Sequence, residues 1–283
     1  MEQIYSELRS MKRKYLISLY VLLFAIIAAV VLFITLGAWG LACIPVAVVS
    51  GICTSRTYKV YTESYKKNVV SGILRGCGYI SDVIYSADEG ISCETVAGTG
   101  MMNMASTFDS QDLVCGTYKE IEFEQSDVDI QEAWHDSDGT TSYSSIFKGR
   151  WISLKGRDDL DGRVQICAKK FRAENKKALP KRETGSEEFD KAFKVYADSE
   201  ADVQKLLDLN MQRSLMRLKE KLGAPLMLMY VGDRLHIAVN DFMDSFEVNV
   251  RGKLDYESEK KRLLNEMSVT TKVIDELAVY IDG

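Results

Sequence analysis

An unbroken run of forty residues without a charged side chain, 15–54, constrains the fold more than any other feature of the sequence. The hydrocarbon core of a bilayer is about 30 Å thick, and roughly 20 apolar residues in a helix cross it. Within this uncharged run, Gly37 and Gly40 interrupt the succession of large apolar side chains and supply the backbone freedom that a tight turn requires. We therefore predict a transmembrane helical hairpin, with helices at 15–36 and 38–54.

Basic residues flank both ends of this hairpin, and its connecting turn carries no charge. They are Lys12, Arg13 and Lys14 before the first helix, and Arg56, Lys59, Lys66 and Lys67 after the second. Lys and Arg near membrane helices stay on the cytoplasmic side. We expect a multi-pass protein of the cell membrane whose termini and soluble domain are all cytoplasmic.

Three alternatives to the hairpin remain. A cleaved signal peptide is one, although its apolar region runs only about 7–15 residues. A single buried helix of a soluble protein is another. The third is a re-entrant second segment, which contains Pro45 and would place the large soluble region outside the cell. The sequence does not decide whether the second segment spans the bilayer fully.

The charge of the chain changes sign beyond the hairpin. Residues 1–67 carry eight basic and three acidic side chains, whereas residues 68–283 carry 28 basic and 38 acidic ones, a net charge of −10. Nucleic-acid binding requires clustered Lys and Arg, so nucleic acid is not an expected partner. The six cysteines are widely spaced and form no CxxC pair, which is typical of a reducing cytoplasm.

Hydrophobic patterning divides the chain into five parts. These are an amphipathic lead-in at 1–14, the hairpin at 15–54, a juxtamembrane helix at 55–78, a soluble domain at 79–252 and a C-terminal amphipathic helix at 253–283. Alternating or continuous apolar residues predict strands at 121–124, 146–154, 164–168, 194–197, 226–231, 235–239 and 246–250. The Asp- and Gly-rich stretch 156–162 is typical of a hairpin loop.

Helices are predicted between these strands from their caps and periodicity. A short helix begins near Ser186, with Thr184 and Glu187 spaced as a capping box, and a longer one extends from Ser199 to Leu222. The C-terminal helix presents a narrow apolar seam that either docks on the domain or pairs with the lead-in. Consecutive hairpins with separate helices predict an α+β fold, built on an antiparallel sheet with packed helices.

The sequence contains no recognised catalytic, cofactor-binding or metal-binding motif. Gly98-Thr-Gly100 begins a dinucleotide-like pattern, but Asn103 occupies the place of its third glycine. His135 and His236 are expected to be structural or surface residues. The Asp-Gly pairs at 138–139 and 161–162 lack the other carboxylates of a calcium loop and indicate turns.

One basic stretch stands out in the acidic region. Its members are Lys169, Lys170, Arg172, Lys176, Lys177, Lys181 and Arg182, seven cations in 14 residues with a single acid, Glu174. A solvated loop is the simplest interpretation. The functional interpretation is contact with anionic lipid headgroups, to which each basic residue contributes about 1 kcal/mol near the surface.

Several short motifs resemble those of a known family. They are Asp109-Ser-Gln-Asp-Leu-Val-Cys-Gly116 leading into Ile121-Glu-Phe-Glu124, Phe147-Lys-Gly149, Glu183-Thr-Gly-Ser-Glu-Glu-Phe189, Phe193-Lys-Val-Tyr196, Leu206-Leu207 and Phe246-Glu247. This series resembles the bacterial membrane family called domain of unknown function 3137. The resemblance implies a membrane protein and a LemA-like membrane partner, but no activity.

Two hypotheses about function follow. The first is a cytoplasm-facing, membrane-anchored protein-interaction or scaffold module. The second is a membrane-associated enzyme, or a protein that binds a lipid or small ligand, with an unrecognised site near residues 98–112. A polar cleft with a strongly shifted carboxylate would favour the second hypothesis.

Overall fold

The computed structural model describes residues 2–136, 138–156, 160–171, 173–175 and 179–281. The chain divides into two compact units. The first consists of Met1–Ile73 and Phe246–Leu263, and the second of Leu74–Ser245 and Leu264–Gly283. The first unit is therefore built from two stretches of chain that are far apart in sequence.

Two long helices form most of the first unit. Helix α1 (Glu2–Leu36) and helix α2 (Ile44–Tyr65) are joined by a 3₁₀ turn (Gly37–Cys43). Pro45 lies in the first turn of α2, where its missing N–H removes no helical hydrogen bond. Apolar side chains project outward along both helices; Phe24 is 73% exposed and Ile34 is 76% exposed. Both helices are long and apolar enough to cross a membrane.

The second helix extends well past its apolar part. After α2 the chain makes one π-helical turn (Lys66–Val70) and continues as helix α3 (Ser71–Arg75). The helix predicted at 55–78 is thus largely a continuation of α2. Single π turns insert an extra residue into a helix and shift the face that it presents. Lys66, Val69 and Val70 of this turn are buried.

The C-terminal part of the first unit packs on the polar ends of these helices. Lys66 forms an ion pair with Glu247 at 2.7 Å. The Nζ atom of Lys12 donates to the carbonyl oxygen of Gly252 at 2.5 Å. The strand predicted at 246–250 is wrong, because Phe246 has a φ of +60° and the segment binds these helices in irregular conformation.

The second unit is built around one antiparallel sheet. Within the described residues its strands are β1 (Ser81–Ser86), β2 (Thr107–Tyr118), β3 (Ile121–His135), β4 (Thr141–Lys155), β5 (Val164–Ala168), β6 (Lys181–Arg182), β7 (Phe193–Ala197), β8 (Leu226–Val231) and β9 (Arg234–Val239). Their order is β1-β2-β3-β4-β9-β8-β5-β7-β6. The predicted α+β class with an antiparallel sheet is confirmed.

Strands β4 and β5 do not pair as a hairpin, contrary to the prediction for the stretch 156–162, of which residues 157–159 lie outside the described residues. Strand β4 pairs with β3 and β9, whereas β5 pairs with β8 and β7. The chain therefore passes from β4 to β5 across the two strands that are inserted between them. A stretch rich in turn-forming residues indicates that the chain changes direction. It does not indicate which strands pair with each other in the sheet.

Four short helices and a terminal one complete this unit. They are α4 (Cys93–Thr99), α5 (Glu187–Ala192), α6 (Glu200–Leu206), α7 (Leu209–Leu222) and α8 (Tyr256–Leu277), which begins in the first unit. The helix predicted from Ser199 to Leu222 is broken, because Asp208 caps α7 by accepting from the Met211 N–H at 2.7 Å. Ser186 caps α5, rather than the predicted Thr184.

The two alternatives for the C-terminal helix each describe one half of it. In the first unit, Tyr256 packs against Tyr5 of the lead-in, with ring centroids 6.4 Å apart. In the second unit, Thr270 donates to Gln125 and Asp275 accepts from Lys119 at 2.6 Å. The start of this helix therefore contacts the lead-in, whereas Thr270 of its apolar seam contacts strand β3.

Candidate functional site

The structure brings three of the seven predicted basic residues to one place. Lys169, Lys181 and Arg182 line a cleft of about 380 Å³ at the β6 edge of the sheet. Lys170 does not line this cleft. Arg172, Lys176 and Lys177 lie outside the described residues. The remaining lining residues are Glu183, Asp190, Phe193, Lys194, Val195 and Tyr196.

Pairing of β6 with β7 creates the cleft. Lys181 lies opposite Tyr196, and Arg182 lies opposite Val195. The guanidinium of Arg182 donates from Nε to the carbonyl oxygen of Ala197 at 3.3 Å and from an Nη atom to that of Asp198 at 3.2 Å. Two hydrogen bonds to backbone fix the plane of the guanidinium at the rim of the cleft.

Lys194, which lines the cleft, forms an ion pair with the buried Glu174. Its Nζ atom donates to Glu174, whose other carboxylate oxygen accepts from the Sγ atom of Cys167 at 2.8 Å. Burial is the largest single influence on the pKa of Lys194 and lowers it, but the hydrogen bond to Glu174 and the negative charge of that carboxylate act together to raise the pKa above its ordinary value. Lys194 is therefore charged at neutral pH, with its ammonium anchored to the buried carboxylate.

The Glu-Thr-Gly motif of the family resemblance adjoins the cleft, which its Glu183 and the nearby Asp190 line. The Oγ1 atom of Thr184 donates to Asp190 at 3.0 Å, and Gly185 adopts a φ of +77°, which favours glycine. Ser186 then caps α5 by accepting from the Phe189 N–H. This sequence of contacts explains why the motif contains a hydroxyl, a glycine and a second hydroxyl in that order.

The cleft carries an excess of cations. Lys169, Lys181, Arg182 and Lys194 face Glu183 and Asp190 across it. Among the described residues, Lys169, Lys181 and Arg182 have no carboxylate within ion-pair distance. Such an arrangement binds anions, and its chemistry is electrostatic attraction with directed N–H donors.

Sequence reasoning missed Lys194 and the role of Glu174. A lysine between Phe193 and Val195 reads as the solvated face of a strand, since nothing local shows that Cys167 lies opposite it. The sequence feature that could have indicated this ion pair was Glu174. A single acid in a strongly basic stretch is a candidate for a fixed partner.

The other sequence candidates lie elsewhere. His135 is exposed at the end of β3, where its Nδ1 atom is 3.1 Å from the Thr141 hydroxyl. His236 is buried, and burial lowers its pKa to about 4, as expected for a structural residue. In the described part of the chain, no group of three or more His, Cys, Asp or Glu side chains is placed to hold a metal ion.

One carboxylate with a strongly shifted pKa is separate from the cleft. Burial raises the pKa of Asp127 to about 7, while hydrogen bonds from Ser245 oppose the shift. Asp127 accepts from the Ser245 hydroxyl at 2.9 Å, and that hydroxyl also accepts from Nε of Arg150 at 2.9 Å. This network joins β3, β4 and the chain after β9, and none of its members lines the cleft.

Comparison with known proteins finds a family model that is similar to the part of the chain that contains the cleft residues. Residues 145–279 match the family model described as protein of unknown function (DUF3137). No curated protein matches the sequence. The crystal structure of the mycobacterial trehalose monomycolate transport factor A, TtfA, is similar with a TM-score of 0.41 and 12% identity, covering 76% of this chain and 96% of that chain. A likeness this weak supports no conclusion, whereas the family match confirms the resemblance seen in the motifs. Residues 145–279, slightly less than half of the chain, are therefore similar to the DUF3137 family.

Proposed function

We propose that the protein is a membrane-anchored interaction or scaffold module at the inner face of a bacterial membrane. The observation that carries the proposal is the pair of adjacent helices, α1 and α2, whose apolar side chains are exposed along their length. Exposed apolar surface on this scale requires lipid or a partner to cover it. Basic flanks at both ends of the hairpin support a cytoplasmic position for the soluble unit.

The expected partner is another membrane protein, and the family resemblance suggests a LemA-like one. The test is cross-linking in cells that express the full chain, followed by purification from the native membrane and mass spectrometry. One stoichiometric partner that the hairpin alone, residues 1–67, fails to recover would support the module. Recovery of the chain without a partner would contradict it.

A second candidate function, binding of anionic lipid, is favoured by the clustering of Lys169, Lys181 and Arg182 in one cleft. The full chain in phosphatidylcholine nanodiscs is expected to bind separate vesicles that contain anionic lipid, more weakly as salt increases. Replacing all seven predicted basic residues by glutamine should remove this binding. Undiminished binding by that variant would exclude the basic stretch as the lipid contact.

A further inference from the structure

The cleft differs from an ordinary basic surface in how its cations are held. Arg182 is fixed by two backbone carbonyls, and Lys194 is fixed by the buried Glu174. In a solvated loop, the basic side chains would be mobile and could pair with any counterion. Arg182 is instead oriented before an anion binds, so it loses little side-chain entropy on binding.

We propose that this cleft is a binding site for a single phosphate group of an organic phosphate. In the site, Lys169, Lys181 and Arg182 contact the phosphate oxygens. This inference rests on the second candidate function, the binding of anionic lipid. It replaces the seven-residue basic stretch by this one cleft as the binding site. The phosphate belongs either to a lipid headgroup or to a soluble phosphate monoester, since the cleft would recognise the same chemistry in both.

The composition of the cleft supports phosphate over a carboxylate. A guanidinium presents five N–H donors in a rigid fork that suits tetrahedral oxyanions, and Arg182 uses only two of them on the backbone. Lys169 and Lys181 come from different segments and have no carboxylate partner among the described residues. Donors that converge from separate segments suit an anion whose oxygens point in several directions.

The size of the cleft supports an organic group attached to the phosphate. Its volume of about 380 Å³ exceeds what a phosphate ion alone would fill. Phe193, Val195 and Tyr196 also line the cleft, and their side chains are nearly fully buried beneath it. A glycerol or sugar carbon skeleton therefore has room beside the phosphate.

The test titrates the full chain in phosphatidylcholine nanodiscs with glycerol phosphate by calorimetry, with acetate as a carboxylate comparison. Lys169→Gln and Lys181→Gln are the site variants. Lys170→Gln is the matched control, because Lys170 is exposed, adjacent in sequence and outside the cleft. A second arm measures flotation of the nanodiscs with vesicles that contain phosphatidic acid.

Saturable glycerol phosphate binding is expected, and each site variant should weaken it about tenfold through loss of a charge-assisted hydrogen bond. Lys170→Gln should change it less than about twofold. Vesicle binding with the same residue dependence would identify a lipid headgroup as the source, whereas saturable binding without vesicle binding would identify a soluble phosphate.

Three results would overturn the site. The first is the absence of saturable binding, and the second is an equal effect of all three lysine variants, which would indicate attraction by net charge alone. Acetate binding as tight as phosphate binding would also overturn it. The glycerol phosphate titration requires neither vesicles nor a protein partner. A negative titration can therefore be distinguished from failure of the proposed scaffold function or of vesicle binding.

Discussion

The ion pair between Lys194 and Glu174 is very unequally exposed. The side chain of Glu174 is 1% exposed, whereas that of Lys194 is 25% exposed. Removal of the lysine leaves a carboxylate buried without its cation, which typically costs about 3–5 kcal/mol. We expect Lys194→Met to lower the free energy of unfolding by about 3 kcal/mol, measured by urea unfolding with tryptophan fluorescence.

The double variant Lys194→Met/Glu174→Gln separates pairing from packing. If the two groups act as a pair, the double variant should be less destabilised than the sum of the single variants. If the destabilisation of the double variant equals the sum of the two single-variant values, the contact between Lys194 and Glu174 contributes no pairing energy. Lys191→Met is the matched control, because Lys191 pairs with Glu187 at a fully solvated position.

Asp127 makes stability depend on pH. Burial raises its pKa to about 7, so the folded protein binds this proton more tightly than the unfolded chain does. The resulting stabilisation is complete below the unfolded pKa near 4 and is lost as the pH rises through about 7, a change of about 4 kcal/mol at most. Asp127→Asn should abolish that part of the pH dependence.

The measurement is the difference in unfolding free energy between the parent protein and Asp127→Asn, followed from about pH 4 to about pH 8. Other titrating groups cancel in this difference. The carboxyl ¹³C resonance of Asp127 should titrate near neutral pH in parallel. A resonance that titrates near pH 4 would show that Ser245 and Arg150 hold the carboxylate ionised in the folded protein.

At the scale of elements, the junction of β4 with β9 depends on a glycine. Gly149 has a φ of +154°, and a Cβ atom there would lie 2.1 Å from the Val239 carbonyl oxygen. Gly149→Ala should therefore force the strands apart and cost about 3 kcal/mol or more. Gly98→Ala is the control, since a Cβ atom there meets nothing within 4 Å and alanine favours the helix. Equal stability of the two variants would contradict the predicted clash.

Elements with strong local patterns were predictable from the sequence. The continuous apolar run of β8 and the alternation in β5 both correspond to strands that are paired on two sides. The failures occurred where partners are distant in sequence. Phe246, Val248 and Val250 alternate like a strand, but ion pairs and carbonyl contacts made by Lys66 and Lys12 hold this stretch in another conformation.

The same limit applies to the cleft. Local composition identified Lys169, Lys181 and Arg182, because an excess of cations is visible without a structure. The cleft itself depends on β6 pairing with β7, and on Glu174 reaching Lys194 twenty residues away. Those pairings are properties of the sheet order, which the sequence pattern does not specify.

For the molecule as a whole, the proposed topology predicts which residues reagents can reach. Cys93 is exposed in the second unit, and Leu41 lies in the turn between the helices. In a variant with Cys93 as its only cysteine, a membrane-impermeant maleimide should react only after permeabilisation of the cells. In a cysteine-free background, Leu41→Cys should react in intact cells. The reverse pattern would place the soluble unit outside.

The discontinuous first unit has a consequence for synthesis. Lys66 and Tyr65 leave the ribosome long before Glu247 and Glu259, the carboxylates that bind them. At about 5–20 residues per second, the intervening 180 or so residues take roughly 10–40 s to make. In the proposed topology, the hairpin therefore enters the membrane before the chain segment that packs on its polar ends has been made. A chain cut short before residue 246 would leave these buried polar groups exposed, which would mark it for degradation.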